Sequence, residues 1–402
     1  MGLRSYIMRE RMLFLYARNR PPEDLEETAR TRSLLDILLE KFDIDLLEYC
    51  QDSQGDYSRI GSELKVHTIN RTTGPERSLL NPLHKLHSRA GLTRTDKNLR
   101  SEIAEMCKLN AYSHVFISRG LLGKCIDIVS SLLPDAKIIA DAFRMESRHL
   151  EAGAVGKRGL SRRYYELNAA LTRREERKLL TKSSLLLTAS GWDALSFKAL
   201  SFADAGKVHV VPQSVHLRDY SYHEPVSKEN GVVLHWYMHT SQGKNAALIF
   251  HRKIYPLIKA KVPDCRCFIA GGDGEIHPEV LALSKEDPSV VIVQEGEDVN
   301  VYIRKARAVV GLLREGCGGQ LKILEAWALR TPVVTSLKGS EELNCQPGRN
   351  ILLASTMGEM AEQVAGLLQT PEHGSIIADA AYRTLLADYE ADIVKAKVLK
   401  LV

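Results

Sequence analysis

The stretch REGCGGQLKILEAWALRTPVVTSLKG, residues Arg314–Gly339, decides the predicted fold. It follows the apolar run AVVGLL at 308–313, which is typical of a buried parallel strand. A glycine-rich turn opens it, LKILEAWAL at 321–329 has helix-forming composition, and PVVT at 332–335 is short and β-branched. The order therefore predicts a strand, a turn, a helix and a second strand, as in a parallel α/β sheet.

The glycine turn in this unit predicts an anion site. The first N–H groups of a helix have no partner within the helix, and the helix dipole there favours a phosphate. Glycine lets the backbone approach such a ligand because it has no Cβ. The same turn is also typical of a tight strand-to-helix connection without a ligand, so the pattern alone leaves both interpretations open.

The segment GGQLKILEAWALRTPVVTSLKGSEEL at 318–343 resembles the donor-site signature of family 4 retaining glycosyltransferases of the GT-B fold. More narrowly, it is similar to the branch used in bacterial surface and exopolysaccharide assembly. The resemblance implies that Glu325 binds the ribose hydroxyls of a nucleotide-sugar and that Lys322 faces the donor phosphates or sugar. The backbone amides expected beside Lys322 are those of Gly318, Gly319 and Gln320.

One position departs from the resembled pattern. Eight residues before Glu325 stands Cys317, where many members carry a second glutamate that contacts the donor sugar. A thiol cannot accept hydrogen bonds from hydroxyls as a carboxylate does. We therefore expect Cys317 to line the sugar pocket and the sugar to be selected by shape and backbone groups. Arg314 and Glu315 precede this turn and are also predicted to bind the donor.

A second loop is implied to grip the donor diphosphate. The apolar run VVLHWY at 232–237 leads into MHTSQGKN, where the family has an arginine five residues before a lysine. Lys244 and Asn245 keep the second element, and His239 stands in for the arginine. Without the resemblance, a lysine on such a loop is typically solvated. Gly296, in a loop after a later strand, is expected against the nucleobase.

In the first half of the chain, DAFRMES at 141–147 resembles the acceptor-side segment D-x-x-D-x-E-S of the same family. It follows a predicted strand, and ligands gather beyond the carboxyl ends of parallel strands. Asp141 is therefore predicted to be catalytic, with Lys322, Glu325 and Lys244. Arg144 stands where Asp or His is usual, and the acidic and hydroxyl side chains here equally suit helix capping.

Alternating strands and helices predict an α/β protein with two doubly wound domains. The resemblance implies two Rossmann-like domains facing across a cleft, with a final helix that crosses back. The predicted domains are an acceptor-binding domain at 1–220, a nucleotide-sugar-binding domain at 221–385 and a C-terminal helix at 386–402.

The bulk composition is that of a globular protein, with 44% apolar and 26% charged residues. The sequence contains no run of 18 apolar residues, and its first residues lack the apolar core of a signal peptide. Seven cysteines without CxxC spacing favour reduced thiols, and hence a cytoplasmic protein. No metal-ligand spacing is visible, so we expect neither a metal nor another cofactor.

Positive charge concentrates at Lys157–Lys182, where nine Lys/Arg and three Glu give a local excess of +6. Leucines and tyrosines lie at partly helical spacing there. A basic amphipathic helix of this kind is typical of attachment to the anionic inner face of a plasma membrane, and equally of a solvated helix with i,i+4 ion pairs. The sequence contains no recognisable nucleic-acid module, so we do not expect nucleic-acid binding.

The resulting hypothesis is a retaining glycosyltransferase that moves a hexose-type sugar from a nucleotide-sugar to a glycan or lipid-linked acceptor. Bacterial surface-polysaccharide synthesis is the implied setting. A non-catalytic GT-B partner or scaffold is the first alternative, because three family positions carry unusual residues. A GT-B nucleotide-sugar epimerase is the second, although no acid–base carboxylates for it can be identified in the sequence.

Overall fold

The computed structural model describes residues 9–18, 25–50, 64–70, 97–118, 122–221, 226–271, 275–294, 296–312 and 320–402. The chain forms two compact units. One consists of Met1–Val211 with Val398–Val402, and the other is Pro212–Lys397. The predicted boundary near residue 220 falls nine residues inside the second unit.

The first unit is built on a parallel sheet with strand order β3-β2-β1-β4-β5-β6-β7. Its strands are β1 Glu10–Arg18, β2 Phe42–Cys50, β3 Lys65–Asn70, β4 His114–Ser118, β5 Lys137–Phe143, β6 Leu185–Thr188 and β7 Val208–Val210. Its helices are α1 Leu25–Leu39, α2 Lys97–Leu109, α3 Leu122–Leu132, α4 Glu146–Ala154, α5 Gly159–Lys182 and α6 Gly191–Lys198, with a short 3₁₀ turn at Ala205–Lys207. The order reverses direction beside β1, as in a doubly wound sheet.

Strand β1 shows why these segments become strands. Its residues 12–17 are all buried, and Phe14 stacks on Phe116 of β4 with ring centroids 4.4 Å apart. A strand covered by helices on both faces has no solvent side, so its sequence is continuously apolar rather than alternating. Burial of several such strands supplies the main driving force for this unit.

The second unit repeats the architecture, with sheet order β10-β9-β8-β11-β12-β13 and every pair parallel. Its strands are β8 Glu229–His235, β9 Arg266–Ala270, β10 Val290–Ile292, β11 Ala306–Gly311, β12 Val333–Thr335 and β13 Leu352–Leu353. Its helices are α7 Ser241–Ile249, α8 Tyr255–Lys261, α9 Pro278–Leu281, α10 Leu283–Glu286, α11 Val299–Lys305, α12 Gln320–Ala328, α13 Leu337–Ser340, α14 Met357–Gln369 and α15 Pro371–Asp388, with a 3₁₀ turn at Leu217–Tyr220. The last helix, α16 Ala391–Leu401, begins in this unit, and its residues from Val398 onward belong to the first unit.

Alternate residues of the central strands enter different cores. Val232 and Leu234 belong to one apolar cluster, whereas Val233 belongs to the other with the fully buried Trp327. Successive side chains of a strand point to opposite faces, so the two clusters cover the two faces of this sheet. Helix α12, which carries the predicted donor residues, is fixed by Trp327.

One predicted helix is interrupted. The sequence suggests a continuous helix from residue 245 to 260, but a π-helical turn at Phe250–Ile254 separates α7 from α8. Pro256 sits at the start of α8 and cannot donate a backbone hydrogen bond to the preceding turn. The wider turn accommodates that missing bond.

Candidate functional site

Three neighbouring strands of the second unit end at one edge of its sheet. β8 ends at His235, β11 at Gly311 and β12 at Thr335. The Thr335 hydroxyl donates to the Gly311 carbonyl oxygen at 2.7 Å and ties two of these ends together. The carboxyl edge of a parallel sheet is where ligands bind in doubly wound folds, so this edge is the first place to look for a site.

Helix α12 places Lys322 and Glu325 on this edge. They are three residues apart, so they share a helix face, and Lys322 Nζ lies 3.1 Å from Glu325 Oε2. Each side chain is 13% exposed, and the Lys322 ammonium sits 4.8 Å from the centre of the Tyr237 ring. The structure therefore brings together the two residues that the sequence singles out, as a partly buried ion pair.

His235 completes a group of three with Lys322 and Glu325. Its Nε2 lies 3.6 Å from Glu325 Oε2, and its side chain is 3% exposed. Burial, and next the Lys322 cation, hold the pKa of His235 well below its usual range. Its Nδ1 is buried with no hydrogen-bond partner among the described residues. His235 could not be predicted as a site residue because it stands inside the apolar run VVLHWY at 232–237.

A small cavity lies between α12 and the sheet edge. Its wall contains the end of β8, two residues of α12 and the ends of β11 and β12. The lining residues are His235, Trp236, Val309, Val310, Gly311, Lys322, Ile323, Val333 and Thr335.

The loop after β8 passes so close to two glycines that no other residue would fit. A Cβ on Gly243 would lie 2.1 Å from the Tyr237 carbonyl oxygen, and one on Gly271 would lie 2.0 Å from that of Trp236. Gly271 also has a φ of +136°, which favours glycine. These contacts fix the path of residues 236–238 beside the Lys322 side chain.

The predicted diphosphate loop lies at the start of α7. Thr240 caps the helix by accepting from the Gly243 N–H at 2.9 Å. Lys244 Nζ pairs with Glu279 at 3.1 Å, and that hydrogen bond holds the pKa of Glu279 below its usual range. His239 is half-buried with its ring 6.2 Å from that of Tyr237, and Asn245 is exposed.

The remaining predicted donor residues divide into two groups. Gly296 lies in an exposed turn with a φ of +87°, and Gln320 opens α12 with its amide hydrogen-bonded to Glu342. The Gln320 Oε1 atom is buried without a partner among the described residues. Arg314, Glu315, Cys317, Gly318 and Gly319 lie outside the described residues.

Asp141, in the first unit, is enclosed in an ion pair. Arg30 donates from Nη2 to Asp141 Oδ1 at 2.7 Å and from Nε to Oδ2 at 2.9 Å, and both side chains are 3% exposed or less. Arg30 also donates to the Val211 carbonyl at 2.6 Å. Because both carboxylate oxygens are occupied, we leave Asp141 out of the reaction proposed below; its structural role is to anchor α1 to β5.

The turn after Asp141 is held by two other carboxylates. Phe143 has a φ of +57°, and the Met145 N–H donates to Asp193 at 2.9 Å. At the start of α4, Ser147 donates from its N–H and its hydroxyl to Glu176, at 3.1 and 2.5 Å. The capping that the sequence left open for the 141–147 segment is therefore supplied from outside it.

Arg144 and Glu146 of this turn pair with each other, with Nε and Oε1 3.0 Å apart. Arg144 also stacks on Phe143, with its guanidinium 5.7 Å from the ring centre. The arginine that departs from the resembled pattern therefore has a local partner.

The sequence of the second unit has a recognisable match. Residues 237–370 match the family model described as glycosyl transferases group 1. The match includes Lys244, Lys322 and Glu325 and covers about a third of the chain. The comparison with curated proteins found no match to this sequence.

Solved structures resemble the whole fold. HepE of Anabaena, crystallised with UDP and glucose, is 13% identical with a TM-score of 0.62, over 97% of this chain and 98% of that one. Sucrose-phosphate synthase of Thermosynechococcus elongatus is 14% identical with a TM-score of 0.66, over 98% of both chains. A Listeria monocytogenes protein classed with the UDP-N-acetylglucosamine 2-epimerases is 12% identical with a TM-score of 0.59, over 98% and 95%.

The comparisons and the two parallel sheets show the predicted α/β fold of the GT-B type, with two Rossmann-like domains. The family match and this fold together support a transferase that acts on glycosyl groups.

The described residues contain no group of three or more His, Cys, Asp or Glu side chains that could hold a metal ion. In the part of the chain that the structure describes, no helix combines the length and the hydropathy needed to span a membrane. What the second unit offers instead is a cation and a carboxylate on α12 beside a neutral imidazole at the end of β8. Such a group suits an anionic ligand that also carries hydroxyls.

Proposed function

We propose that the chain is a retaining glycosyltransferase that moves a hexose-type sugar from a nucleotide-sugar to a glycan or lipid-linked acceptor in bacterial surface-polysaccharide synthesis. The observation that carries the proposal is the Lys322–Glu325 pair at the start of α12, beside the carboxyl edge of its sheet. Both residues fall within the matched family segment. Neighbouring folds that bind UDP and glucose add support.

In the proposed reaction, the bond from the anomeric carbon to the donor diphosphate breaks and a bond from that carbon to an acceptor oxygen forms. The acceptor proton passes to an oxygen of the leaving diphosphate, on the same face of the sugar. Charge develops on that diphosphate in the transition state. Lys322, once it has turned from Glu325 to the diphosphate, and the start of α12 stabilise this charge electrostatically.

Lys244 is proposed as the second cation at the diphosphate. It is 24% exposed and its partner Glu279 is 53% exposed, so water can replace either side of their ion pair. The lysine can therefore exchange a carboxylate for a phosphate at modest cost. Glu325 is proposed to accept from the ribose hydroxyls.

The test is a panel of UDP-, GDP- and ADP-linked hexoses, measured by thermal shift and by release of the nucleoside diphosphate. At least one donor should raise the melting temperature and be hydrolysed slowly. NMR should show that the released sugar keeps the anomeric configuration of the donor. No binding to any donor by the wild type would contradict the proposal, whereas binding without turnover would favour the scaffold alternative.

An epimerase would behave differently in the same experiment. It would return a nucleotide-sugar with one inverted hydroxyl rather than a free sugar. The fold similarity to the Listeria protein motivates this control. NMR of the recovered nucleotide-sugar distinguishes the two activities.

We also propose that the protein is cytoplasmic and attaches to the inner face of the plasma membrane. In the structure, only part of the basic segment Lys157–Lys182 is placed to contact a membrane surface. In α5 the half from Asn168 to Lys182 packs into the first unit, and Lys178 and Lys182 both pair with Asp127 at 2.7 Å. Lys178 and Lys182 therefore form ion pairs within the protein, and we do not propose that they bind lipid.

The tip of the α4–α5 hairpin, residues 155–167, is the part proposed to touch lipid. Val155 is 81% exposed and Leu160 is 85% exposed, and the basic residues between and after them lie on the surface. The basic residues of this tip are Lys157, Arg158, Arg162 and Arg163. Each basic residue near an anionic surface is worth about 1 kcal/mol, which is enough for reversible attachment.

Vesicle sedimentation tests this attachment. The protein should pellet with anionic vesicles at low salt, be released at high salt and ignore neutral vesicles. The double variant Arg158→Gln/Arg163→Gln should weaken binding more than Arg174→Gln/Arg177→Gln, which removes the same charge from exposed positions of the packed half. Equal loss in both, or equal binding to neutral vesicles, would contradict the proposed tip.

A further inference from the structure

His235 has no part in the reaction proposed above, yet it is a buried polar neighbour of Glu325. Its Nε2 lies 3.6 Å from Glu325 Oε2, behind the carboxylate on the side of β8. The residue ends a strand whose residues 231–235 are all buried, so the imidazole cannot move far. A polar ring at such a position needs a reason, since burying it costs free energy unless it is paired.

In the proposed reaction, Lys322 has two anionic partners, Glu325 and the donor diphosphate. In the structure it holds Glu325, with Nζ 3.1 Å from Oε2 and 3.4 Å from Oε1. In the proposed reaction the same ammonium faces the donor diphosphate. When it turns there, Glu325 loses its strongest hydrogen bond at the moment when it must be directed at ribose.

We propose that His235 is a positioning residue that keeps the Glu325 carboxylate directed at the ribose hydroxyls of the donor while Lys322 binds the diphosphate. The inference rests on the proposed function. His235 does this by donating its Nε2 proton to Glu325 Oε2, after a closure of less than an ångström from the present separation. His235 itself touches neither ribose nor phosphate.

The electrostatics of the group fit this role. Burial and the nearby Lys322 cation lower the pKa of His235, so the imidazole stays neutral and carries a single N–H. The carboxylate beside Nε2 favours the tautomer with the proton on that nitrogen. A neutral donor fixes the direction of Glu325 without forming a second strong ion pair that would compete with the substrate hydroxyls.

The test compares nucleotides that differ only in their ribose hydroxyls. UDP, GDP and ADP are titrated by calorimetry, and the one that binds is compared with its 2′-deoxy and 3′-deoxy forms. The wild type should prefer the ribonucleotide. His235→Met, which keeps the size but removes the donor, should lower ribonucleotide affinity roughly tenfold and leave the deoxy form unchanged.

His235→Gln, whose amide N–H replaces the imidazole donor, should keep most of the ribose preference. Glu325→Gln is the reference variant in which the preference is lost. If His235→Met does not fold, His235→Leu supplies a second apolar side chain, and circular dichroism checks each variant. An equal loss for the ribo and deoxy forms, or an unchanged preference in the apolar variant, would overturn the role of His235 alone. A wild type that binds no nucleoside diphosphate would overturn the proposed function as well.

Discussion

The six strands of the second unit follow the same order as the first six of the first unit, but the two units differ in how they hold an ion pair. In the first unit, Arg30 and Asp141 are both 3% exposed or less, and they are joined by three hydrogen bonds. In the second unit, Lys322 and Glu325 are each 13% exposed and are joined through Nζ alone. Both pairs lie at the carboxyl side of a parallel sheet.

This difference distinguishes an ion pair that stabilises the fold from one that can bind a ligand, although both lie on similar sheets. A buried bidentate pair has already lost its water, so breaking it leaves an uncompensated charge. A partly open lysine–glutamate pair can exchange one partner for a ligand. The fold alone therefore does not say which carboxyl edge binds a ligand, whereas the exposure and geometry of the charges do.

The largest effect is expected from breaking the closed pair. Arg30→Met removes the cation and leaves Asp141 buried without it, which should cost about 3–5 kcal/mol in the free energy of unfolding. Urea denaturation measures the loss. The double variant Arg30→Met/Asp141→Leu should recover much of it, because no isolated charge remains.

A matched surface pair serves as the control. Arg330 and Asp379 lie 2.8 Å apart but are 57% and 51% exposed. Asp379→Asn should change stability too little to separate from error, because water replaces the lost partner and Arg330 keeps its contact with the Tyr382 ring. If Arg30→Met also left the free energy of unfolding unchanged, the ion pair would not stabilise the fold, and Asp141 would again be a candidate catalytic residue.

A second prediction concerns the buried carboxylate that holds the start of α4. Burial raises the pKa of Glu176 to about 7, although two hydrogen bonds from Ser147 and the charge of Arg173 oppose the rise. A raised pKa in the folded state means that folding favours the protonated form. The resulting stability is fully present below the unfolded pKa near 4.5 and is lost as the pH rises through 7.

Glu176→Gln should remove this pH dependence. A shift of this size corresponds to about 3 kcal/mol, so the variant should gain roughly that much on the wild type between pH 4.5 and pH 8. Urea midpoints across that range measure it. Glu175→Gln on the same helix is the control, since Glu175 pairs with Lys178 and is 26% exposed. A constant difference between Glu176→Gln and the wild type would contradict the expected titration.

The open pair is expected to affect binding rather than folding. Lys322→Ala and Glu325→Ala should each lose about 1.5–3 kcal/mol of donor affinity, the value of a hydrogen bond to a charged group, and should remain folded. Calorimetry with the donor found in the panel measures this loss. Unchanged affinity in both variants would remove the proposed site, and a loss of folding would make the two pairs equivalent.

Most of the fold could be predicted from the sequence because its strands are buried on both faces. The segment HVFIS at 114–118 has the apolar centre Val115–Ile117, which predicts a buried strand, and the structure confirms a strand with these bounds. The π-helical turn before Pro256 was missed because periodicity over one turn hardly distinguishes it from an α-helix. Asp141 was singled out by the sequence, but its ion pair with Arg30 was not predicted, since the two residues are 111 positions apart.

The part of the site that lies on one helix could be predicted from the sequence. Lys322 and Glu325 are three residues apart, so their proximity follows from helical spacing. His235 joins them only because β8 and β11 are neighbours in the sheet and α12 follows β11. A lone histidine in an apolar run gives no sign of that, although a polar residue at the carboxyl end of a predicted parallel strand is a signal worth testing in similar sequences.

The smallest effect is expected at Glu279, the partner of Lys244. Both side chains reach water, so Glu279→Gln should leave the urea midpoint of unfolding unchanged. If Lys244 must leave Glu279 to reach the donor diphosphate, the variant frees the lysine beforehand and donor affinity should rise slightly. Lys244→Gln in the same titration should lower it. A lower donor affinity in Glu279→Gln would mean that the carboxylate positions the lysine instead. The exposed Lys244–Glu279 pair would then hold its side chains in place, as the buried Arg30–Asp141 pair does in the first unit.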